Sequence, residues 1–160
     1  MTDQEYMQQA LLLAQEAAAE GEVPVGCVIV CGGRIVGRGR NRREKAKNAL
    51  SHAELEAIDD ACRNLGGWRL WQCTLYVTLE PCPMCAGAVI NARIPRVVYG
   101  VADQKAGSCG SLTNLFALPY NHRPQVEGGC MEQEAKALLQ DFFKRLRENP
   151  VVKTWRKPVK

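Results

Sequence analysis

The segment from residue 73 to residue 101 constrains the fold more than any other part of the chain. Cys73 to Thr78 and Arg96 to Val101 have the short apolar pattern of buried strands, and a helical segment that opens at Pro81 separates them. Two strands joined by a helix lie parallel in one sheet, with a right-handed connection that places the helix against one face. The segment therefore predicts an α/β domain built around a parallel pair of strands.

The remaining elements are expected to complete that sheet and to cover both of its faces. Apolar residues recur at helical spacing in three further segments. These run from about 3 to 20, from the predicted cap Ser51 to Leu65, and from Met131 to Arg147. The apolar run Val25 to Cys31 is typical of a central strand, Arg34 to Arg40 of an edge strand, and Gln125 to Glu127 of a short strand. The pattern predicts a three-layer α/β/α domain with a five-stranded mixed sheet.

Length and composition fit one soluble domain of 160 residues. We expect residues 1–148 to form this domain and residues 149–160 to form a basic C-terminal tail. No apolar run approaches the ~20 residues that a membrane helix needs, and the N-terminus lacks the features of a secretory signal. A cytoplasmic location without membrane contact is therefore expected. In that reducing compartment the eight cysteines should bind metal or remain free thiols, and Cys109 and Cys130 receive no role.

Positive charge is concentrated in two segments. Arg34 to Lys47 and Lys144 to Lys160 each hold seven basic residues and one acidic residue, which gives +6 for each segment. Since the whole chain carries +4, the remainder carries −8. Such segregation favours a polyanionic partner, nucleic acid above all, although two solvated surface segments would give the same pattern.

Two short motifs carry the chemistry, and each begins a predicted helix. Cys82 and Cys85 are spaced so that both sulfurs can bind one ion, and the positive end of the helix dipole favours their thiolates. One histidine would complete a three-ligand zinc site whose open fourth position is typical of catalytic zinc. Of the two histidines, His122 lies in a predicted loop, whereas His52 begins a helix two residues before Glu54. His52 is therefore the predicted ligand, and Glu54 the residue that moves protons.

Each motif also has an alternative interpretation. Ser51 and Glu54 have the spacing of a capping box, which would occupy Glu54 with the backbone of its own helix. Cys82 and Cys85 alone would suit a redox pair, and a zinc site closed by a fourth protein ligand would be structural. The combination of His-x-Glu with a later Pro-Cys-x-x-Cys is nevertheless the signature of zinc nucleobase deaminases.

At these residues the sequence resembles the cytidine deaminase superfamily and, within it, the bacterial tRNA-specific adenosine deaminases. The resemblance extends from about Glu5 to Arg147 and includes Glu22-Val-Pro-Val-Gly26 and Thr78-Leu-Glu-Pro-Cys82. Four segments point to the tRNA-specific branch: Asp103-Gln-Lys-Ala-Gly107, Gly110-Ser111, Asn121-His122-Arg123 and Asp141-Phe142-Phe143.

The resemblance implies conversion of the wobble adenosine of a tRNA anticodon to inosine, usually in an arginine tRNA. It also implies a homodimer with one zinc ion per subunit. Carried over by motif, the zinc ligands would be His52, Cys82 and Cys85, and Glu54 would shuttle protons. Asn41 would contact the flipped base or its ribose, and Asp103 would contact the adjacent nucleotide. Phe143 would line the groove for the anticodon loop. Pro83 within the cysteine motif also resembles guanine and cytosine deaminases, so a small-molecule deaminase with the same zinc site is the alternative.

Overall fold

A computed structural model of the chain describes residues 1–149, and within them lie four α-helices, five β-strands and one short 3-10 helix. In chain order the elements are α1 (Asp3–Ala19), β1 (Gly26–Cys31), β2 (Arg34–Arg40), α2 (Ala53–Leu65), β3 (Cys73–Leu79), α3 (Pro83–Asn91), β4 (Arg96–Val101), a 3-10 turn (Leu115–Ala117), β5 (Gln125–Glu127) and α4 (Glu132–Glu148). Apart from Asn149, the predicted basic tail lies outside the described residues. None of the helices within residues 1–149 is long and apolar enough to cross a membrane.

The five strands form one mixed sheet in the order β2-β1-β3-β4-β5. β1 is antiparallel to both β2 and β3, whereas β3, β4 and β5 are parallel to one another. The parallel pair β3 and β4 is joined through α3, which confirms the crossover predicted for residues 73–101.

Alternate residues of the central strands face two separate cores, which makes the domain three layers thick. Cys27 and Ile29 of β1 lie in the core that includes residues of α2 and α3. Val28 and Val30 lie in the other core, with residues of α1 and α4. Because every second side chain of a strand points to the same face, this double burial explains why β1 is apolar throughout. The predicted α/β/α architecture is confirmed.

Glycines in β2 allow α2 to approach the sheet very closely. A Cβ atom at Gly39 would lie only 2.2 Å from the carbonyl oxygen of Ala53 and 2.6 Å from the amide nitrogen of Ala57. Gly37 is similarly close to α2 one turn further along, 2.3 Å from the carbonyl oxygen of Ala57. The first turn of α2 therefore packs directly on the backbone of β2, an approach that a side chain at position 37 or 39 would prevent.

The start of α2 differs from the prediction. Its N-cap is His52, in an extended conformation with φ −82° and ψ 152°, and no side chain forms the cap hydrogen bond. The predicted Ser51 cap is therefore wrong, and the capping-box interpretation of Glu54 loses its support. The 3-10 turn was not predicted, because it depends on the Asn114 side chain, which accepts a hydrogen bond from the amide of Phe116 at 3.1 Å.

Candidate metal centre and substrate pocket

Three side chains from two helix starts converge at the carboxyl end of β3. His52 is the N-cap of α2, Cys82 is the N-cap of α3, and Cys85 lies in the first turn of α3. One ligand atom from each residue lies within 4.8 Å of the other two. Both cysteine sulfurs are 3.6 Å from His52 Nδ1, so this ring nitrogen faces the sulfur pair.

These distances fit a zinc ion. Tetrahedral zinc with bonds of about 2.3 Å to sulfur and about 2.0–2.1 Å to nitrogen separates the two ligand atoms by roughly 3.6 Å. The observed separation between sulfur and nitrogen is 3.6 Å for each cysteine. Among residues 1–149, no fourth His, Cys, Asp or Glu belongs to this group. The donor set therefore suits a zinc ion that keeps one position open, and not a structural zinc closed by four protein ligands.

The two thiols differ in their affinity for protons. A hydrogen bond from Cys85 lowers the pKa of Cys82 to about 4, helped by His52 and opposed by burial. The same hydrogen bond, together with burial, raises the pKa of Cys85. A thiolate is thus present at Cys82 at neutral pH before any metal binds, and a bound divalent cation would displace the proton that Cys85 retains.

Glu54 is buried beside the three predicted ligands. Only 4% of its surface is exposed, and the residue lies in the first turn of α2, two positions after His52. Burial raises the pKa of its carboxyl group to about 7, and the nearby Cys82 charge acts in the same direction. A carboxyl group in that range can take up and release a proton near neutral pH, which general acid–base catalysis requires.

A pocket next to the metal centre contains two of the three predicted substrate contacts. Its apolar lining consists of Val23, Val25, Ala53, Leu79 and Ala106. Its polar lining consists of Asn41, Arg43, His52, Glu54, Glu80, Cys82 and Asp103. Asn41 is buried. Its side-chain nitrogen donates a hydrogen bond to the carbonyl of Val23 at 3.2 Å, and its side-chain oxygen accepts one from the backbone amide of Arg43 at 3.3 Å. The pocket thus combines Asn41 and Asp103 with Glu54 and with His52 and Cys82, two of the predicted metal ligands.

Phe143, the third predicted contact, lies in a separate groove. That groove is lined by α4 residues together with Lys105 of the loop after β4. Phe143 packs edge-on against Phe142, with ring centroids 5.4 Å apart. Lys136 and Arg147 add positive charge to the same groove. Lys105 is two residues from Asp103, so the same loop contributes to both the groove and the pocket.

Comparison with known proteins agrees with this geometry. The family model of the MafB19-like deaminases matches residues 1–147. The chain belongs to this deaminase family. It is 47% identical over 147 residues to the tRNA-specific adenosine deaminase of Bacillus subtilis (strain 168), an alignment that covers 91% of each protein. The resemblance found in the sequence motifs is therefore confirmed.

Solved structures give the same family. A structure from a study of A-to-I editing by tRNA:A34 deaminases at the wobble position of transfer RNA has a TM-score of 0.82 and 42% identity, and the match covers 84% of this chain and 99% of that one. The guanine deaminase of Bacillus subtilis has a lower TM-score, 0.63, with 31% identity over 93% of this chain and 96% of that one. This deaminase is thus more similar to the first structure by both measures.

Sequence reasoning missed how two buried carboxylates organise the pocket. Glu22 is 1% exposed and accepts hydrogen bonds from the amides of Glu44 at 3.0 Å and Lys45 at 2.7 Å. It thereby fixes the basic loop that follows Asn41. The second carboxylate, Glu80, directly follows β3 and is 2% exposed. The available signal was an acidic residue close to an apolar strand: Glu80 directly follows β3, and Glu22 lies four residues before β1.

Glu80 remains ionised despite its burial. Burial alone would raise the pKa of its carboxyl group, but hydrogen bonds from the Ser111 hydroxyl and from three backbone amides outweigh that effect and lower the pKa. Hydrogen bonds to the charged form stabilise it in this way wherever the donors are preorganised. The residue thus places a fixed negative charge at the pocket wall of the deaminase.

Proposed function

We propose that this protein is a zinc-dependent deaminase that converts adenosine to inosine at the wobble position of tRNA. The observation that carries this proposal is the convergence of His52, Cys82 and Cys85, a donor set that would leave one zinc position open, beside a buried Glu54. His52, Cys82 and Glu54 line one pocket. The tRNA substrate is supported by the 47% identity to a tRNA-specific adenosine deaminase. We further propose one zinc ion per subunit, a homodimer, a cytoplasmic location and an arginine tRNA as the substrate.

The pocket supplies the groups that a hydrolytic deamination needs. Bound zinc would provide Lewis-acid activation of a water molecule at the open position. Glu54 would accept one proton from water at a carboxylate oxygen and deliver it to the purine ring. It would then take up the second proton from the same oxygen, once that oxygen is bonded to C6, and deliver it to the departing amino group. The oxygen of water becomes bonded to C6 and the bond from C6 to the amino nitrogen breaks. The products are inosine and ammonia, so no oxidant or reductant is required.

The surroundings of the pocket suit a nucleotide that has left its base stack. A deaminase can reach the target atom only after the base is flipped out, and the unstacked bases of an RNA loop are suited to such recognition. Asn41 would contact the flipped base or its ribose, Asp103 the adjacent nucleotide, and Phe143 the anticodon loop. Arg43, which lines the pocket, and Lys105, which lines the groove of Phe143, add positive charge that favours phosphate contacts.

A small-molecule deaminase is the second candidate, because the guanine deaminase of Bacillus subtilis shares the fold at 31% identity. Guanine or cytosine has no phosphate, so such an enzyme gains nothing from basic residues at the pocket mouth. The two functions therefore differ in how they respond to removal of a basic residue from that position.

The decisive experiment offers the zinc-loaded protein unmodified arginine tRNA, free guanine and free cytosine in parallel. Inosine at the wobble position, without deamination of either free base, supports the proposal. Deamination of guanine or cytosine with unchanged tRNA overturns it. Arg43→Glu should weaken tRNA binding and reduce the slope of log affinity against log salt by about 1. Arg63→Glu, which makes the same charge change on an exposed part of α2, is the matched control.

A further inference from the structure

Glu80 occupies the connection between β3 and the cysteine ligands. Its backbone amide extends the sheet by donating a hydrogen bond to the carbonyl of Val101 at 2.9 Å. Its side chain points away from bulk solvent, lines the pocket, and lies beside the loop that follows β4. A rigid strand end thus carries a buried carboxylate directly under a loop that supplies a predicted substrate contact.

The carboxylate of Glu80 holds both ends of the loop from residue 103 to residue 111. Oε1 accepts hydrogen bonds from the amide of Asp103 at 3.1 Å and from the hydroxyl of Ser111. Oε2 accepts hydrogen bonds from the amides of Cys109 at 3.0 Å and Ser111 at 3.1 Å. Hydrogen bonds to a charged acceptor are stronger than those between neutral groups, so these four contacts anchor both ends of the loop to Glu80.

The loop is closed tightly around this carboxylate. The side chain of Asp103 accepts hydrogen bonds from the amides of Lys105 at 2.9 Å and Ala106 at 3.3 Å, and its carbonyl accepts one from Gly107 at 2.9 Å. A Cβ atom at Gly107 would lie 2.5 Å from the carboxylate carbon of Glu80. The direction of the Asp103 side chain is therefore set by a turn that rests on Glu80.

We infer that Glu80 is a positioning residue: its carboxylate fixes the loop that presents Asp103 to the substrate, and it acts on the reaction only through that loop. The inference rests on the proposed function, because it takes deamination of tRNA as its readout. Glu22 provides a natural comparison, since it is an equally buried carboxylate that fixes the other loop of the pocket through two backbone amides.

A double-mutant cycle tests the inference. Glu80→Gln replaces one acceptor oxygen by an amide group that faces backbone donors, and we expect kcat/KM for tRNA to fall roughly tenfold, mainly through KM. In the Asp103→Ala background the same substitution should change kcat/KM less than about twofold, because the residue through which Glu80 acts is gone. Glu22→Gln is the matched control, and its effect should be the same in both backgrounds.

Zinc content and unfolding midpoints are measured for every variant. If Glu80→Gln still lowers kcat/KM tenfold in the Asp103→Ala background, or if its loss of activity follows a loss of zinc, the inference is overturned. If Glu80→Gln does not fold, Ser111→Ala decides instead, because it removes only the hydroxyl contact, and its effect must likewise disappear without Asp103. A parent protein that forms no inosine would instead refute the proposed function.

Discussion

The substitution Gly39→Ala tests whether the close approach of α2 to β2 positions the site. The added methyl carbon would lie 2.2 Å from the carbonyl oxygen of Ala53, 2.6 Å from the amide nitrogen of Ala57 and 2.8 Å from Cβ of Glu56. Two of these neighbours are backbone atoms, which cannot rotate out of the way. Relief of the contacts requires the first turn of α2 to move by roughly 1 Å, since carbon and oxygen need a separation of about 3.4 Å.

The expected cost has a structural part and a catalytic part. Overpacking of this kind destabilises a protein by typically about 1–3 kcal/mol, so the free energy of unfolding should fall by that amount. Glu54 lies in the turn that must move, and a misplacement of about 1 Å can reduce catalysis by about 100-fold. We therefore expect folded Gly39→Ala protein to bind zinc and to lose about two orders of magnitude in kcat/KM.

Urea unfolding and steady-state deamination of tRNA measure the two parts. Gly87→Ala is the matched control, because Gly87 lies within α3 and a Cβ atom there would have no neighbour within 4 Å. That change should stabilise the protein by about 0.5–1 kcal/mol through higher helix propensity. The reasoning fails if the free energy of unfolding of Gly39→Ala lies within about 0.5 kcal/mol of the parent value, or if this variant is as stable as Gly87→Ala.

Three further predictions concern the proton shuttle, the metal ligands and stability in acid. Glu54→Gln should lower kcat by at least about 100-fold and retain zinc, and equal activity of the two proteins would exclude a role in proton transfer. Cys85→Ala should lose both zinc and activity in metal analysis and deamination assays, whereas Cys130→Ala should keep both. Hydrogen bonds from Arg96 lower the pKa of Asp3 from 3.8 to about 2. Asp3→Asn should therefore cost about 1 kcal/mol at pH 7, a value reduced for solvent exposure, and unfolding measured between pH 4.5 and 2 should show that difference disappearing as pH falls.

The parts of the fold that follow from local patterns could be predicted from the sequence. The crossover from Cys73 to Val101 was predictable because both strands are short and rich in apolar residues, and the helix between them opens with proline and a cysteine pair. Binary patterning also predicted the edge strand β2, whose exposed residues include Arg34 and Arg38. The convergence of His52, Cys82 and Cys85 was predictable because these residues lie in two short segments that each begin a helix, although which nitrogen of His52 faces the sulfurs was not.

The features that the sequence did not reveal depend on contacts between distant segments. Glu80 is paired with groups 23 to 31 residues away, and Glu22 with groups 22 and 23 residues away. No local period records such pairs, since a buried carboxylate and a solvated one look alike in a sequence. The cap at Ser51 was likewise predicted from a local pattern alone, and the structure places the N-cap at His52.

The central proposal is tested most directly by inosine formation at the wobble position of tRNA, measured against the zinc content of the same preparation. We predict one zinc ion per chain, loss of inosine formation when a chelator removes the metal, and recovery when zinc is restored. Undiminished inosine formation by thoroughly zinc-free protein would contradict the proposal.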